Sequence, residues 1–112
     1  MWYSANLLFN SLTGTDALKA DGVWEERVIL IEASSELEAQ ALAQQMGRQG
    51  EVTYKNVYDE TVSWRFDSIE RLCEIGVEHP SHGSEIFSRF LKDEEVESLK
   101  RGFPDDEGQA GS

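Results

Sequence analysis

The sequence predicts an α+β fold: a mainly antiparallel sheet of four or five strands with one principal helix packed on one face, in the order β-β-α-β-β-β, closed by a short C-terminal helix. Three observations carry this expectation. Tyr3, Ala5, Leu7 and Phe9 alternate with Trp2, Ser4, Asn6 and Leu8, the period of two that marks a strand. Ser35-Glu36-Leu37-Glu38 has the form of a capping box and precedes apolar residues at helical spacing. Two further apolar runs flank Tyr58-Asp59-Glu60-Thr61, as in a β-hairpin.

Taken in order, residues 1–13 form a strand with one dominant apolar face. Residues 13–22 (T-G-T-D-A-L-K-A-D-G) are rich in turn formers. Residues 23–33 (V-W-E-E-R-V-I-L-I-E-A) resume as β-branched and apolar, and residues 28–31 are apolar on both parities, which predicts a central strand covered on both sides. Ala39, Leu42, Ala43 and Met46 fall at i, i+3, i+4 and i+7, one apolar stripe, and Gly47 or Gly50 can end the helix. Residues 52–57 and the run through Val62, Trp64 and Phe66 are the hairpin. Phe66 and Ile69 differ in parity, so a bulge near Asp67-Ser68 keeps the apolar face from flipping. Residues 69–75 continue that strand, although Ile69, Leu72 and Cys73 also fit helical spacing. Residues 76–84 are a loop, residues 85–91 (E-I-F-S-R-F-L) a last strand, and Asp93 caps a short helix with Val96 and Leu99. Residues 1–101 thus make a single α+β domain, and residues 102–112 a flexible acidic tail.

A helix of about a dozen residues covers only one face of such a sheet. The other face carries Trp2, Trp24 or Trp64 according to register. Either a two-fold partner covers it, or loops and the terminal segment do.

Charge excludes several classes of function. The chain of 112 residues holds 22 acidic and ten basic side chains, a net charge of −12. Phosphate backbones and anionic membrane surfaces require clustered Lys and Arg, so neither nucleic acid nor membrane is an expected partner. Residues 28–31 are the longest apolar run, far below the roughly 20 residues of a membrane helix, and residues 1–20 lack a basic region ahead of an apolar one. A cytosolic location is the resulting expectation. The single cysteine, Cys73, excludes an intramolecular disulfide.

Candidate chemistry is sparse. No phosphate loop, dinucleotide fingerprint or nucleophile elbow occurs, and no cofactor is expected. His79 and His82 lie with Glu78 and Glu85 in a loop; the types suit zinc, but Pro80 and Gly83 leave the spacing unfixed, and a polar surface loop explains the same residues. Cys73 sits between carboxylates in I-E-R-L-C-E-I, with no activating cation pattern, and reads as a small half-buried hydrophobe. Glu25 and Glu26 point to opposite faces of a strand and cannot share a site. Glu26 shares the parity of Trp24, where an ion pair with Arg65 or Arg89 from a neighbouring strand would fix register or line a pocket. The ligand or interface candidates are therefore Trp2, Trp24, Glu26, Trp64, Arg65 and Arg89, with no catalytic residue assigned.

The opening M-W-Y-S-A-N-L-L-F, the W-E-E-R-V-I-L-I-E-A-S-S-E-L-E-A segment and the closing E-I-F-S-R-F-L resemble a family of small, mostly bacterial proteins catalogued only as a domain of unknown function. The resemblance spans residues 1–91. It implies a compact α+β domain and transfers no site residue. The expected function is a non-enzymatic interaction module that forms a homodimer and presents an acidic surface to a basic protein partner. The alternative is a small-molecule or metal-binding domain, possibly catalytic, with a pocket between helix and sheet.

Overall fold

The computed structural model describes residues 1–102. Residues 103–112, with Asp105-Asp106-Glu107, lie outside the described residues. Four strands make one antiparallel sheet in the order β2-β1-β4-β3: β1 (Trp2–Gly14), β2 (Lys19–Glu32), β3 (Val52–Lys55) and β4 (Thr61–Glu74). Helix α1 (Glu36–Gln49) joins β2 to β3, and α2 (Asp93–Arg101) follows residues 75–92, which carry neither helix nor strand.

The alternation of β1 builds the core. Tyr3, Ala5, Leu7 and Phe9 are buried on the face that receives α1, together with Ile31, Ala33, Ala39 and Ala43. Phe9 meets Phe66 of β4 edge to face, with ring centroids 5.7 Å apart. Helix α1 starts where the capping sequence places it: the Ser35 hydroxyl accepts from the Glu38 N–H at 3.1 Å. The return contact differs from the reciprocal box, because the Glu38 carboxylate accepts from the N–H and hydroxyl of Ser34 instead. The buried line on the helix is Ala39, Ala43 and Gly47, while Met46 is turned outward. Gly47 lies directly on the Phe66 ring, where a Cβ would stand 2.5 Å from ring carbons. These small residues let the helix lie close on the sheet, and the interface is filled core where a pocket between helix and sheet was considered.

Arg27 ties three elements together from the same face. Its guanidinium lies 3.8 Å from the Phe9 ring centroid, donates to the Gly50 carbonyl at the end of α1 at 3.1 Å, and meets Glu25 at 2.7 Å. A cation over an aromatic ring and beside helix-terminal carbonyls is favourable on both counts.

Three sequence expectations are corrected. Residues 28–31 do not form a central strand: β1 is central and β2 is an edge, with Val28 and Leu30 each 42% exposed on the side away from α1. Residues 85–91 do not form a fifth strand; they run without regular structure past the end of β4. The turn expected over residues 13–22 is shorter, because β2 begins at Lys19. What permits this is a bulge opposite Ser11, between the pairs Asn10 to Trp24 and Leu12 to Ala20. Gly22 takes φ 79° there, a left-handed conformation that a glycine adopts without steric penalty.

The bulge expected near Asp67-Ser68 is present. Leu8 pairs with Ser68 and Phe9 with Phe66, which leaves Asp67 extra, and a second bulge leaves Glu70 extra between Arg71 and Ile69. Residues 69–74 are strand, as their simplest reading held.

Candidate functional site

The second face of the sheet is built from the even positions of β1 and the residues level with them. Ser4 lies between Leu30 and Cys73, Asn6 between Val28 and Arg71, Leu8 between Glu26 and Ser68, and Asn10 between Trp24 and Arg65. Among the described residues, no helix or strand packs on this face. Trp24 is 46% exposed, and with Val28 and Leu30 it forms an open apolar strip along β2. Irregular residues 85–88 line a cleft with Cys73, and Phe87 stands 5.8 Å from the Arg71 guanidinium.

The central row of this face is polar and incompletely paired. Ser4 and Asn6 are wholly buried. Trp2 Nε1, Ser4 Oγ, Asn6 Oδ1 and Asn10 Oδ1 are buried without a hydrogen-bond partner, and among the described residues they are all such side-chain atoms. Buried polar atoms are normally satisfied, and each orphan costs about 1–3 kcal/mol. All four occupy one side of one strand, so the polar deficit of the fold is concentrated on a single surface.

Charge divides this face lengthwise. Glu26 on β2 accepts from Asn6 Nδ2 at 3.2 Å. It makes no ion pair with Arg65 or Arg89, which corrects the sequence expectation, because β1 separates β2 from β4. Arg65 instead has Glu51 4.0 Å away, Arg71 has Glu70 at 4.0 Å, and Arg89 lies 5.8 Å from the Phe87 ring. Pairs this long and this exposed hold little energy, so Arg65 and Arg71 keep capacity for another carboxylate.

Of the three tryptophans, Trp2 and Trp24 belong to the second face. Trp64 lies on the helix side: it packs on the core and its Nε1 donates to Tyr54 Oη at 3.3 Å. Two clefts open where β4 ends. One of 370 Å³ lies between Cys73, Ile75 and the Ile86-Phe87 segment; its neighbour, of 460 Å³, is lined by Trp2, Glu32, Glu74, Glu78 and His79. His82 is exposed, and among the described residues no three His, Cys, Asp or Glu side chains converge as metal ligands. Sequence does not single out Arg71. Ser4, Asn6 and Asn10 read in sequence as the polar parity of the first strand, on an outward face or an exposed edge. The structure corrects this, because β1 is central and Ser4 and Asn6 are wholly buried.

Among the described residues, two ionisable groups depart from their ordinary values. Burial pushes the Tyr3 hydroxyl up, and the charges of Glu74, Glu36 and Glu38 push it further. Asp21 moves down: desolvation raises it, but hydrogen bonds from the Ser11 and Thr13 hydroxyls and the Val23 N–H outweigh that.

Among the described residues, no helix is long and apolar enough to cross a membrane. No curated protein and no solved structure matches the chain. The family described as Domain of unknown function (DUF4288) matches residues 2–88, which include all four strands, α1 and both flanks of the second face, and the chain belongs to that family.

Proposed function

We propose that the protein is a non-enzymatic interaction module that self-associates through the second face of its sheet and presents the rest of its acidic surface to a basic protein partner. The observation that carries this reading is the exposure of Trp24, Val28 and Leu30 along the β2 edge of the sheet's second face. Contiguous exposed apolar surface marks interaction sites, and aromatic anchors dominate their energetics. The net charge of −12, with Glu32, Glu74 and Glu78 gathered at one end of the sheet, suits a cationic partner and a salt-sensitive encounter.

Native mass measured by gentle electrospray on protein from its own host lysate tests the reading. A dimer is expected, and Trp24→Ala should shift it toward monomer with an unchanged circular dichroism spectrum. A bare monomer for the parent chain would remove self-association. One observation favours a second reading as a small-molecule binder: the orphaned Nε1 of Trp2 beside the 460 Å³ cleft. Retained mass matching a metabolite in the same spectrum would favour it.

A further inference from the structure

The geometry points to an edge-to-edge dimer: β2 of one copy pairs antiparallel with β2 of a second copy, about a two-fold axis that passes through Val28 perpendicular to the sheet. This rests on the self-association proposed above and places it on the β2 rim of the second face. The argument is where the backbone of β2 points. Met1 and Ala33 exchange two hydrogen bonds: the Met1 ammonium donates to the Ala33 carbonyl at 3.0 Å, and the Ala33 N–H to the Met1 carbonyl at 2.9 Å. Pairing of β1 with β2 then runs without a register shift from Trp2 opposite Glu32 to Asn10 opposite Trp24. Hydrogen-bonded pairs alternate in an antiparallel ladder, so Ile31, Ile29, Arg27 and Glu25 also bond to β1. Trp24, Glu26, Val28, Leu30 and Glu32 therefore turn their N–H and C=O groups out of the sheet.

These five residues are all exposed, and among the described residues no backbone group outside the sheet bonds to them. Such a row is a template for another strand. The opposite edge, β3, has only four residues and offers little pairing. On the β2 rim the open backbone coincides with the open side chains of Trp24, Val28 and Leu30. A strand added there leaves β1, β4 and residues 85–88 as they are.

The order of side chains identifies the occupant as a second copy, because it is self-complementary in one register. A two-fold centred on Glu26 or Arg27 sets a charge against its own copy, and one centred on Ile29 sets Glu26 against the partner's Glu32. Like charges directly opposite are destabilising. Centred on Val28, the axis brings Val28 to the partner's Val28, Leu30 to the partner's Glu26 and Trp24 to the partner's Glu32. On the helix side, Arg27 meets the partner's Ile29 and Glu25 the partner's Ile31. No like charges oppose each other, and Val28 and Leu30 of both copies join in one apolar patch across the junction. Each outward residue exchanges two N–H···O bonds with its opposite. The product is one sheet of eight strands, four from each copy, and it closes at two copies because both long edges are used.

Sedimentation equilibrium and thiol bridging test the edge. The parent chain should dimerise. Val28→Pro should raise the dissociation constant at least about tenfold, because proline removes the central outward N–H while β1 loses no bond. In a Cys73→Ser chain, dibromobimane should bridge Val28→Cys to its own copy, since opposite Cα atoms there lie about 5.5 Å apart. Leu30→Cys should stay unbridged, its two copies being about 14 Å apart along the strands. Should Val28→Pro fail to fold, the bridging pair decides alone. A parent dimer left unbridged at Val28→Cys, or left intact by folded Val28→Pro, overturns the edge pairing and leaves self-association standing. A parent chain monomeric at every concentration overturns both.

Discussion

Asp21 is an exposed carboxylate doing the work of a turn residue. Three donors converge on it: Ser11 Oγ and Thr13 Oγ1 at 2.8 Å, and the Val23 N–H at 3.0 Å. They hold together the bulge that lets β2 begin at Lys19 while its later residues keep register with β1. Asp21→Ala removes the acceptor from all three, and because the site is solvated the expected loss is about 1 kcal/mol, seen as a midpoint lower by about 4–8 °C. The pH dependence follows from the sign of the shift. The folded carboxyl lies below its unfolded value, so its contribution is present above about pH 4 and is lost as pH falls through the folded value. The stability gap between parent and Asp21→Ala should accordingly narrow between pH 6 and pH 3. A gap that stays constant, measured by urea unfolding at both pH values, would mean that these hydrogen bonds do not stabilise the ionised form.

At the scale of elements, the close seat of α1 on β4 decides what one methyl group does. In an exposed helix Gly→Ala stabilises by up to about 1 kcal/mol. At Gly47 the new Cβ would meet Phe66 carbons at 2.5 Å, and Phe66 is itself packed on Phe9. Overpacking of this kind costs about 1–3 kcal/mol, so Gly47→Ala should destabilise despite its better propensity. Thermal unfolding of the variant checks the sign. The same contact shows what sequence made legible. Alternation fixed the helix side of β1, and Ser35 fixed the start of α1. In β4, Phe66, Ile69 and Leu72 all face the core three residues apart because bulges at Asp67 and Glu70 each insert one residue. Two bulges in a strand thus imitate a helical period, which is why residues 69–75 fitted both patterns. The candidate face was legible by parity for Trp2, Trp24 and Glu26. Trp64 and Arg71 needed the register, and the exposure of β2 needed the strand order. Those depend on pairing between distant segments, which local apolar content does not encode: residues 85–91 have the composition of a strand and no strand beside them.

For the molecule as a whole, the packed unit is smaller than residues 1–101. The sheet, α1 and the buried Ile75, whose N–H donates to the Trp2 carbonyl at 2.8 Å, form one cooperative body. Helix α2 contacts no other helix or strand among the described residues, and none of its residues is buried. Its ends are served locally: the Lys92 N–H donates to the Glu95 carboxylate, Lys100 and Arg101 lie in the last turn, and Asp93 is the first helical residue where a cap was expected. A chain ended after Leu91 should therefore melt within about 2 °C of the parent, since little buried apolar surface is lost. A chain ended after Ser84 should melt distinctly lower, because it also loses Ile86 and Phe87 from the cleft wall and the ring beside Arg71. The pair of truncations, followed by circular dichroism on heating, separates the two parts of the C-terminal segment. A midpoint that fell equally for both would place α2 inside the cooperative unit, and the second face would then have to be redrawn with the helix as part of its cover.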